Sequence, residues 1–581
     1  MRAFSGIWMV CVAACVGLCA GVAHAEWTTQ TIELHPGWNA VFLLVQPAEN
    51  GCEQVFADVP VKSVWSWVKR FSSVQFLQNP DELLPEMPDW LTYFPPSHPQ
   101  AFLTDLFALH AGKCYLIELD GTEPRTIVLE GKTEIRKIEW IPNSFNLAGF
   151  HVNSADPPTF EKYFAGDSAL SGQAVYRTLT NGKNEMIGDL AATRLRPGEA
   201  YWVYCKGASS FSGPLKVDFD LREGLDYGKD LLEQTLRLKN VSLEERTVTV
   251  RLRPSTRPVK SSVKSELPVY GGDVALSFIR LLAWRPLEEP LVFPLAPGIE
   301  QDLRLAVRRA AMKKPGLPDA VYESILEVSD DKGSFFEIPV SAKAGGDTAG
   351  LWVGNVKVNA ISEAGNAADS VTPTPTASEF TFRIIVHVDE SGAGRLLQHV
   401  TLMQVQAVRE PDPDNPGHYI ETAPPRYVLL TNDTLISQYE GISMRDGKLV
   451  GRRITAPVFG FRDPVSLTGD IGTAFEATLT MPYDDALNPF LHRYHPDHDN
   501  KDERYSSTLA EGKESFTFER AIRLEFSAED PDDIDPPEWG DKLLGGIYRE
   551  TITGVHKRDL HVQGTFLLTR VVDVALLNDG N

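Results

Sequence analysis

The chain has 581 residues and a formal charge of −23, set by 56 basic against 79 acidic side chains. An acidic surface repels phosphate backbones, which excludes nucleic acid as a main partner, and an apolar share of 43% excludes disorder as the default. The length suits three to five domains of ~100 to 200 residues, and 44 Gly with 40 Pro suit many short strands joined by turns.

Met1-Arg2 leads into an apolar stretch from Ile7 to Val22 that ends on Ala23-His24-Ala25 before Glu26. A basic start, a short apolar core and an Ala-x-Ala site are the parts of a secretory signal peptide. The stretch falls short of the ~20 apolar residues of a membrane span, so cleavage after Ala25 is expected. A second reading is lipid attachment at Cys15, since Val12-Ala13-Ala14-Cys15 resembles a bacterial lipobox. No later stretch is long and apolar enough to span a bilayer. The expected mature chain is exported, outside the cell, at its surface or in the periplasm, with no transmembrane segment.

Three of the six cysteines lie in the signal, leaving Cys52, Cys114 and Cys205. At most one disulfide can form among them. Cys52 with Cys114 is the expected pair, because both fall in one module, and its loop would stabilise by ~4 kcal/mol in the chain-entropy model. Cys205, on the strand from Ala200, reads as a small buried apolar residue.

An internal repeat organises the first half. Leu34-His35-Pro36-Gly37-Trp38-Asn39 and Trp140-Ile141-Pro142-Asn143-Ser144-Phe145-Asn146 each set an aromatic-Asn pair before an apolar strand. Val55-Phe56 answers Tyr163-Phe164, and Ser63-Val64-Trp65 answers Ala174-Val175-Tyr176. Both units close on Gly-x-x-Tyr, at Gly112 to Tyr115 and Gly198 to Tyr201. Self-similarity at a long period marks duplicated structural units. The first copy carries an extra Pro-rich piece, roughly Val74 to Pro99, expected to be a loop with at most a short helix.

On Gly37-Trp38-Asn39 and the Gly-x-x-Tyr strands, residues 30 to 220 resemble the Gly-Trp-Asn β modules of large exported bacterial surface proteins, most of them uncharacterised. The second copy departs, with Ser144-Phe145-Asn146. The resemblance implies extracellular architecture rather than a reaction.

Eight of the eleven Trp lie in the first 202 residues. Trp65 and Trp67, two apart on a strand, share a face, and such a face can stack on sugar rings. The competing reading is that Trp38, Trp65 and Trp202 fill small cores.

From about residue 229 the apolar pattern alternates. Leu236 and Leu238 come before a turn from Asn240 to Glu245, then Val248, Val250 and Leu252; Ser324 to Val328 and Phe335 to Val340 flank Asp330 to Gly333. Hairpins in series predict an immunoglobulin-like sandwich. Beyond Gly345-Gly346, Asn366 to Ser378 reads as a projecting loop. Phe380 to Val388, Leu396 to Val405 and Arg426 to Leu430 read as a meander, and Ala521 to Phe526, Gly546 to Thr553 and Leu560 to Val574 as later strands. Leu351-Trp352-Val353-Gly354-Asn355, Phe382 to Asp389 and Asn488-Pro489-Phe490 are similar to C-terminal regions of exported bacterial proteins. The expected class is all-β: signal peptide 1–25, β modules 26–133 and 134–222, a sandwich over 229–345 and an antiparallel β domain over 346–581.

The chain has no His-Glu-x-x-His helix and no Gly-x-Ser-x-Gly elbow. One cluster does combine imidazoles and carboxylates: His492, His495, Asp497, His498 and Asp499. The set suits zinc, and Asp497, Asp499 and Asp502 suit calcium. It is similar to the metallo-β-lactamase-type metal motif, but its first gap is two residues and Pro489 and Pro496 bracket it, which points to a solvated polar loop ahead of a structural ion, and to a catalytic metal last. The leading expectation is a non-enzymatic surface protein for architecture, adhesion or ligand binding, with a surface glycan or another envelope protein as partner. A secreted metal-dependent hydrolase using the His492–Asp499 cluster is the alternative.

Overall fold

The computed structural model describes residues 27–578 except 69–89, 221–223, 256–268, 313–319, 346–347, 363–370, 414–416, 446, 457–460, 462, 483–484, 490–491, 494–512, 515–516, 532–533 and 556–557. The chain is all-β, and no helix among the described residues exceeds the six residues of Asp433–Gln438. The reason is a period of two. In Trp27–Leu34, Gln30, Ile32 and Leu34 are buried while Thr29, Thr31 and Glu33 are exposed, as a half-buried pleated strand requires. The signal stretch and Cys15 lie outside the described residues. No described helix is long and apolar enough to cross a membrane.

The first unit holds two sheets. Trp27–Leu34, Arg125–Thr133 and Val45–Pro47 form one, and Gly37–Phe42, Cys114–Leu119, Val61–Trp67 and Trp90–Tyr93 form the other. They enclose a core that includes Leu34, Val64 and Tyr115. Trp90–Tyr93 is therefore a strand, paired to Val64–Trp67, within the segment expected to be a loop. The second unit has one sheet in the order Asn184–Met186, Val175–Thr178, Ala200–Cys205, Ser144–Gly149. The short helix Phe160–Phe164 contributes Phe160, Tyr163 and Phe164 to its core.

The same polar contacts recur in both units. Asn39 accepts from the His35 N–H at 2.8 Å and donates to the His35 and Gly37 carbonyls. Asn146 accepts from Ile141 N–H at 2.8 Å and donates to the Ile141 and Ser144 carbonyls. The hydroxyl of Tyr115 accepts from His110 N–H at 2.7 Å, and that of Tyr201 from Arg196 N–H at 3.0 Å. Each Asn side chain thus pairs backbone groups that the turn into the strand leaves without a ladder partner.

Two sheets packed face to face follow. One runs Leu215–Phe219, Glu233–Asn240, Glu300–Val307, Leu276–Arg280, Ala283–Pro286; the other runs Leu225–Asp226, Phe335–Lys343, Val321–Asp330, Arg246–Pro254, Leu291–Leu295. Their first strand lies upstream of the expected start at 229. Val321–Asp330 and Phe335–Lys343 form the expected hairpin. Glu233–Asn240 and Arg246–Pro254 do not, since they sit in different sheets. Asn240 explains the difference. Its side chain donates to the Glu244 and Leu295 carbonyls and accepts from Ser242 N–H, so the 240–246 segment arches from sheet to sheet.

The last unit is a closed antiparallel barrel of eight strands, Gly350–Ile361, Thr374–Val388, Gly394–Leu396, Val465–Asp470, Ala474–Met481, Phe518–Phe526, Leu543–Thr553 and Leu560–Val572. Eight strands leave a lumen just wide enough for side chains. Phe382 meets Tyr548 and Phe526 meets both Phe475 and Phe566, all edge to face. Tyr548 donates to Glu550 at 2.7 Å and Arg520 pairs with the same carboxylate, so burial of these polar groups is compensated. Burial and the neighbouring Glu550 carboxylate hold the Tyr548 hydroxyl well above its usual pKa. The barrel strand starts at Thr374, inside the segment read as a projecting loop. The return strand splits: Gly394–Leu396 stays in the barrel, and His399–Val405 leaves it to pair with Arg426–Leu430 and Arg452–Thr455 in a separate sheet.

Asn146 is fully buried with its three hydrogen bonds part-buried, whereas Asn39 is only half-buried and two of its four bonds are exposed. Asn146→Ala is expected to destabilise by about 2–3 kcal/mol and Asn39→Ala by about 1 kcal/mol, from the cost of unpaired buried groups. Denaturant unfolding followed by Trp fluorescence measures both, and equal losses would contradict the assignment.

Candidate functional site

Alternation along Val61–Trp67 sends Val64 into the first core and leaves Trp65 and Trp67 half-buried on the other face. Trp90 stands opposite Trp67 on the neighbouring strand. Trp202 arrives from the second unit, with its ring 5.6 Å from Trp67 and 6.1 Å from Trp90. Trp65 meets Trp90 at 6.1 Å and Phe94 at 6.2 Å, and His98 stacks on Phe94 at 5.0 Å. All four indoles are partly exposed. The result is a continuous run of rings, packed edge to face, along one side of the sheet.

Polar groups border it. Trp65 Nε1 donates to Ser63 Oγ at 2.9 Å, Ser63 Oγ donates to Glu118, and Lys62 Nζ lies 2.9 Å from the same carboxylate. Apolar π faces beside a carboxylate and an ammonium can take a ligand with apolar C–H patches and many hydroxyls.

Trp65 and Trp67 were legible as one face of a strand. Trp90 and Trp202 were not. Trp90 lies in the Pro-rich piece expected to be a loop, and Trp202 packs, with Trp67, against a small buried cluster of Ala40, Phe42, Leu147 and Ala200, in line with the small-core reading. Its neighbours Tyr201 and Val203 are fully buried, so alternation along Ala200–Cys205 is the signal that turns Trp202 away from the core that holds those two.

The two units touch through backbone as well as rings. Trp38 N–H donates to Thr180 carbonyl at 2.8 Å and Phe42 N–H to Gly198 carbonyl at 2.7 Å. Gly37 has φ 89°, and a Cβ there would sit 2.2 Å from the Thr180 oxygen, so only glycine fits at the start of Gly37-Trp38-Asn39. At the same junction His151 stacks on Phe336 at 5.3 Å and meets the edge of Phe42 at 5.6 Å. Its Nε2 is enclosed with no hydrogen-bond partner among the described residues, and burial pulls the imidazole pKa down to about 4.

No disulfide joins Cys52 and Cys114. Cys52 is packed in the first core, whereas Cys114 lies with Phe42 and Trp67 on the opposite face of the sheet, so the expected pair is not brought together. Burial pushes the Cys52 thiol up to about 12. Cys205 is fully buried and donates to the Gly207 carbonyl.

Of the His/Asp cluster, His495, Asp497, His498 and Asp499 lie outside the described residues. His492 begins a two-residue strand, His492–Arg493, paired with Lys513–Glu514 in the connection between two barrel strands. Among the described residues no group of three or more His, Cys, Asp or Glu side chains is placed to hold a metal ion. A comparison with known protein families and with curated proteins finds no match.

Two outcomes follow from the buried groups. The folded His151 resists a proton that the unfolded chain accepts below pH 6.5, so its contribution to stability is complete above 6.5 and lost as pH falls towards 4. The slope is about 1.4 kcal/mol per pH unit in that window, and His151→Gln is expected to flatten the melting temperature against pH there. Second, Cys52 and Cys205 are expected to resist iodoacetamide in the native protein and to alkylate after unfolding, as read by mass spectrometry.

Proposed function

We propose that this chain is an exported, non-enzymatic β-modular binding protein that docks a glycan on the aromatic face formed by Trp65, Trp67, Trp90 and Trp202. In this reading the two units that open on Gly37-Trp38-Asn39 and Ser144-Phe145-Asn146 are copies of one module, as in the exported bacterial surface proteins they resemble. The observation that carries the proposal is the run of four partly exposed indoles bordered by Glu118, Lys62 and Ser63. Large aromatics normally bury themselves, and a row left partly exposed beside polar groups suits a sugar chain, whose ring faces are apolar and whose edges are polar.

The test is a glycan array with residues 26–581, followed by titration of the best ligand against Trp65→Ala and Trp90→Ala. Each substitution is expected to weaken binding about tenfold through lost stacking, with Trp65→Phe retaining part of it and the thermal transition preserved. An array without a ligand, or affinity indifferent to both substitutions, removes the proposal. Turnover of any glycan, ester or peptide would contradict the non-enzymatic reading.

A further inference from the structure

A cleft lies away from the aromatic face, where the second unit meets the two-sheet unit. Its volume is about 490 Å³, and it is lined on one side by Pro157 to Thr159, Glu161 and Lys162 and on the other by Ser242 to Glu244, Arg246 and Lys332. That volume is in the range of small-molecule sites. Backbone contacts hold its walls together, since Asn153 N–H donates to the Gly333 carbonyl at 2.9 Å. Gly333 has φ 91°, and a Cβ there would sit 2.6 Å from the Asp156 oxygen.

The base of the cleft is a built cation. Arg246 keeps only 5% of its side chain exposed and Asp330 keeps 0%, with 2.6 Å between Nη1 and the carboxylate. Arg246 Nε donates to Ser242 Oγ at 2.9 Å, and Nη1 reaches Ser334 Oγ. Nη2 has no acceptor among the described residues, while the guanidinium lines the cleft. Asp330 is itself fixed by the Lys332 and Ser334 N–H groups. The guanidinium is therefore orientated before any ligand arrives, with Nη2 as the donor left for an oxyanion.

Charge around the guanidinium narrows the ligand. Arg246 is already compensated by Asp330, Arg194 pairs with Asp156, and Lys332 lies 3.7 Å from Asp331. On the rim, Lys162 is exposed and without a carboxylate partner among the described residues, and Glu161 and Glu244 are likewise exposed. One uncompensated cation between two carboxylates favours a single negative charge and repels a dianion such as a phosphate ester. The same carboxylates accept from hydroxyls, and Pro157, Pro158 and Leu243 offer apolar surface. We propose that this cleft binds a hydroxylated monocarboxylate of the uronic-acid class, with Arg246 and Lys162 taking the carboxylate and Glu161 and Glu244 the ring hydroxyls.

Isothermal titration of residues 26–581 with galacturonate tests it, with galactose and galactose 6-phosphate as neutral and dianionic controls. Saturable binding of galacturonate is expected, at least tenfold tighter than either control, for the charge-assisted contact. Lys162→Glu, on an exposed residue, should abolish it. Arg246→Lys should weaken it more than tenfold by removing the Nη2 donor while leaving Asp330 a cation. Trp65→Ala should leave it unchanged, which separates this cleft from the aromatic face. No binding, equal binding of galactose, tighter binding of the phosphate ester, or binding indifferent to Lys162→Glu would each overturn the proposal.

Discussion

Open sheets have edges and faces that must be covered, and the first 220 residues are arranged by that constraint. The strand Gly37–Phe42 is the outer member of its sheet, and its spare N–H groups at Trp38 and Phe42 are taken by the Thr180 and Gly198 carbonyls of the second unit. That contact demands glycine at 37, buries Phe42 against Leu147 and Ala200, and carries Trp202 to Trp67. It also encloses His151 between Phe42 and Phe336, so the first unit, the second unit and the two-sheet unit share one aromatic joint. The aromatic face is the part of that coverage which runs past the edge of the second unit.

The binding candidates therefore sit at joints rather than inside single units. Each small sheet spends its apolar residues on its own core, and the residues left over meet the neighbour. At the aromatic face the leftovers are indoles, and in the cleft they are the Arg246–Asp330 pair with its serines. A buried ion pair is a weak source of stability, because desolvation offsets most of its attraction. Here its consequence is orientation: strand ends at Arg246 and Asp330 are locked together, and the guanidinium is held at the floor of an opening.

The barrel solves the edge problem by closing on itself. Its interior is settled by edge-to-face aromatic contacts and by the Arg520–Glu550–Tyr548 set, in which each polar group is satisfied by another. The sheet Arg426–Leu430, His399–Val405, Arg452–Thr455 then covers one outer flank, with Val400, Leu402 and Leu429 packed into the same apolar cluster as Ile385. This is why His399–Val405 leaves the barrel. Ile385 and His387 point outwards yet are fully buried, so that flank requires a cover.

What the sequence by itself determined is the all-β class, the position of many of the longer strands, and the shared face of Trp65 and Trp67. These follow from period-two alternation, which is local and written in consecutive residues. The hairpin of Val321–Asp330 with Phe335–Lys343 was legible for the same reason, with Asp330 and Gly333 marking its turn. Only the tertiary structure decided that Asn240 to Arg246 is an arch between sheets, that Cys52 and Cys114 face opposite ways, that eight strands close into a barrel, that Trp90 and Trp202 meet Trp67, and that Arg246 lines a cleft. Strand pairing and unit contacts join residues far apart in the chain, such as Arg246 with Asp330 and Trp67 with Trp202, and alternation carries no record of which distant face each one will meet.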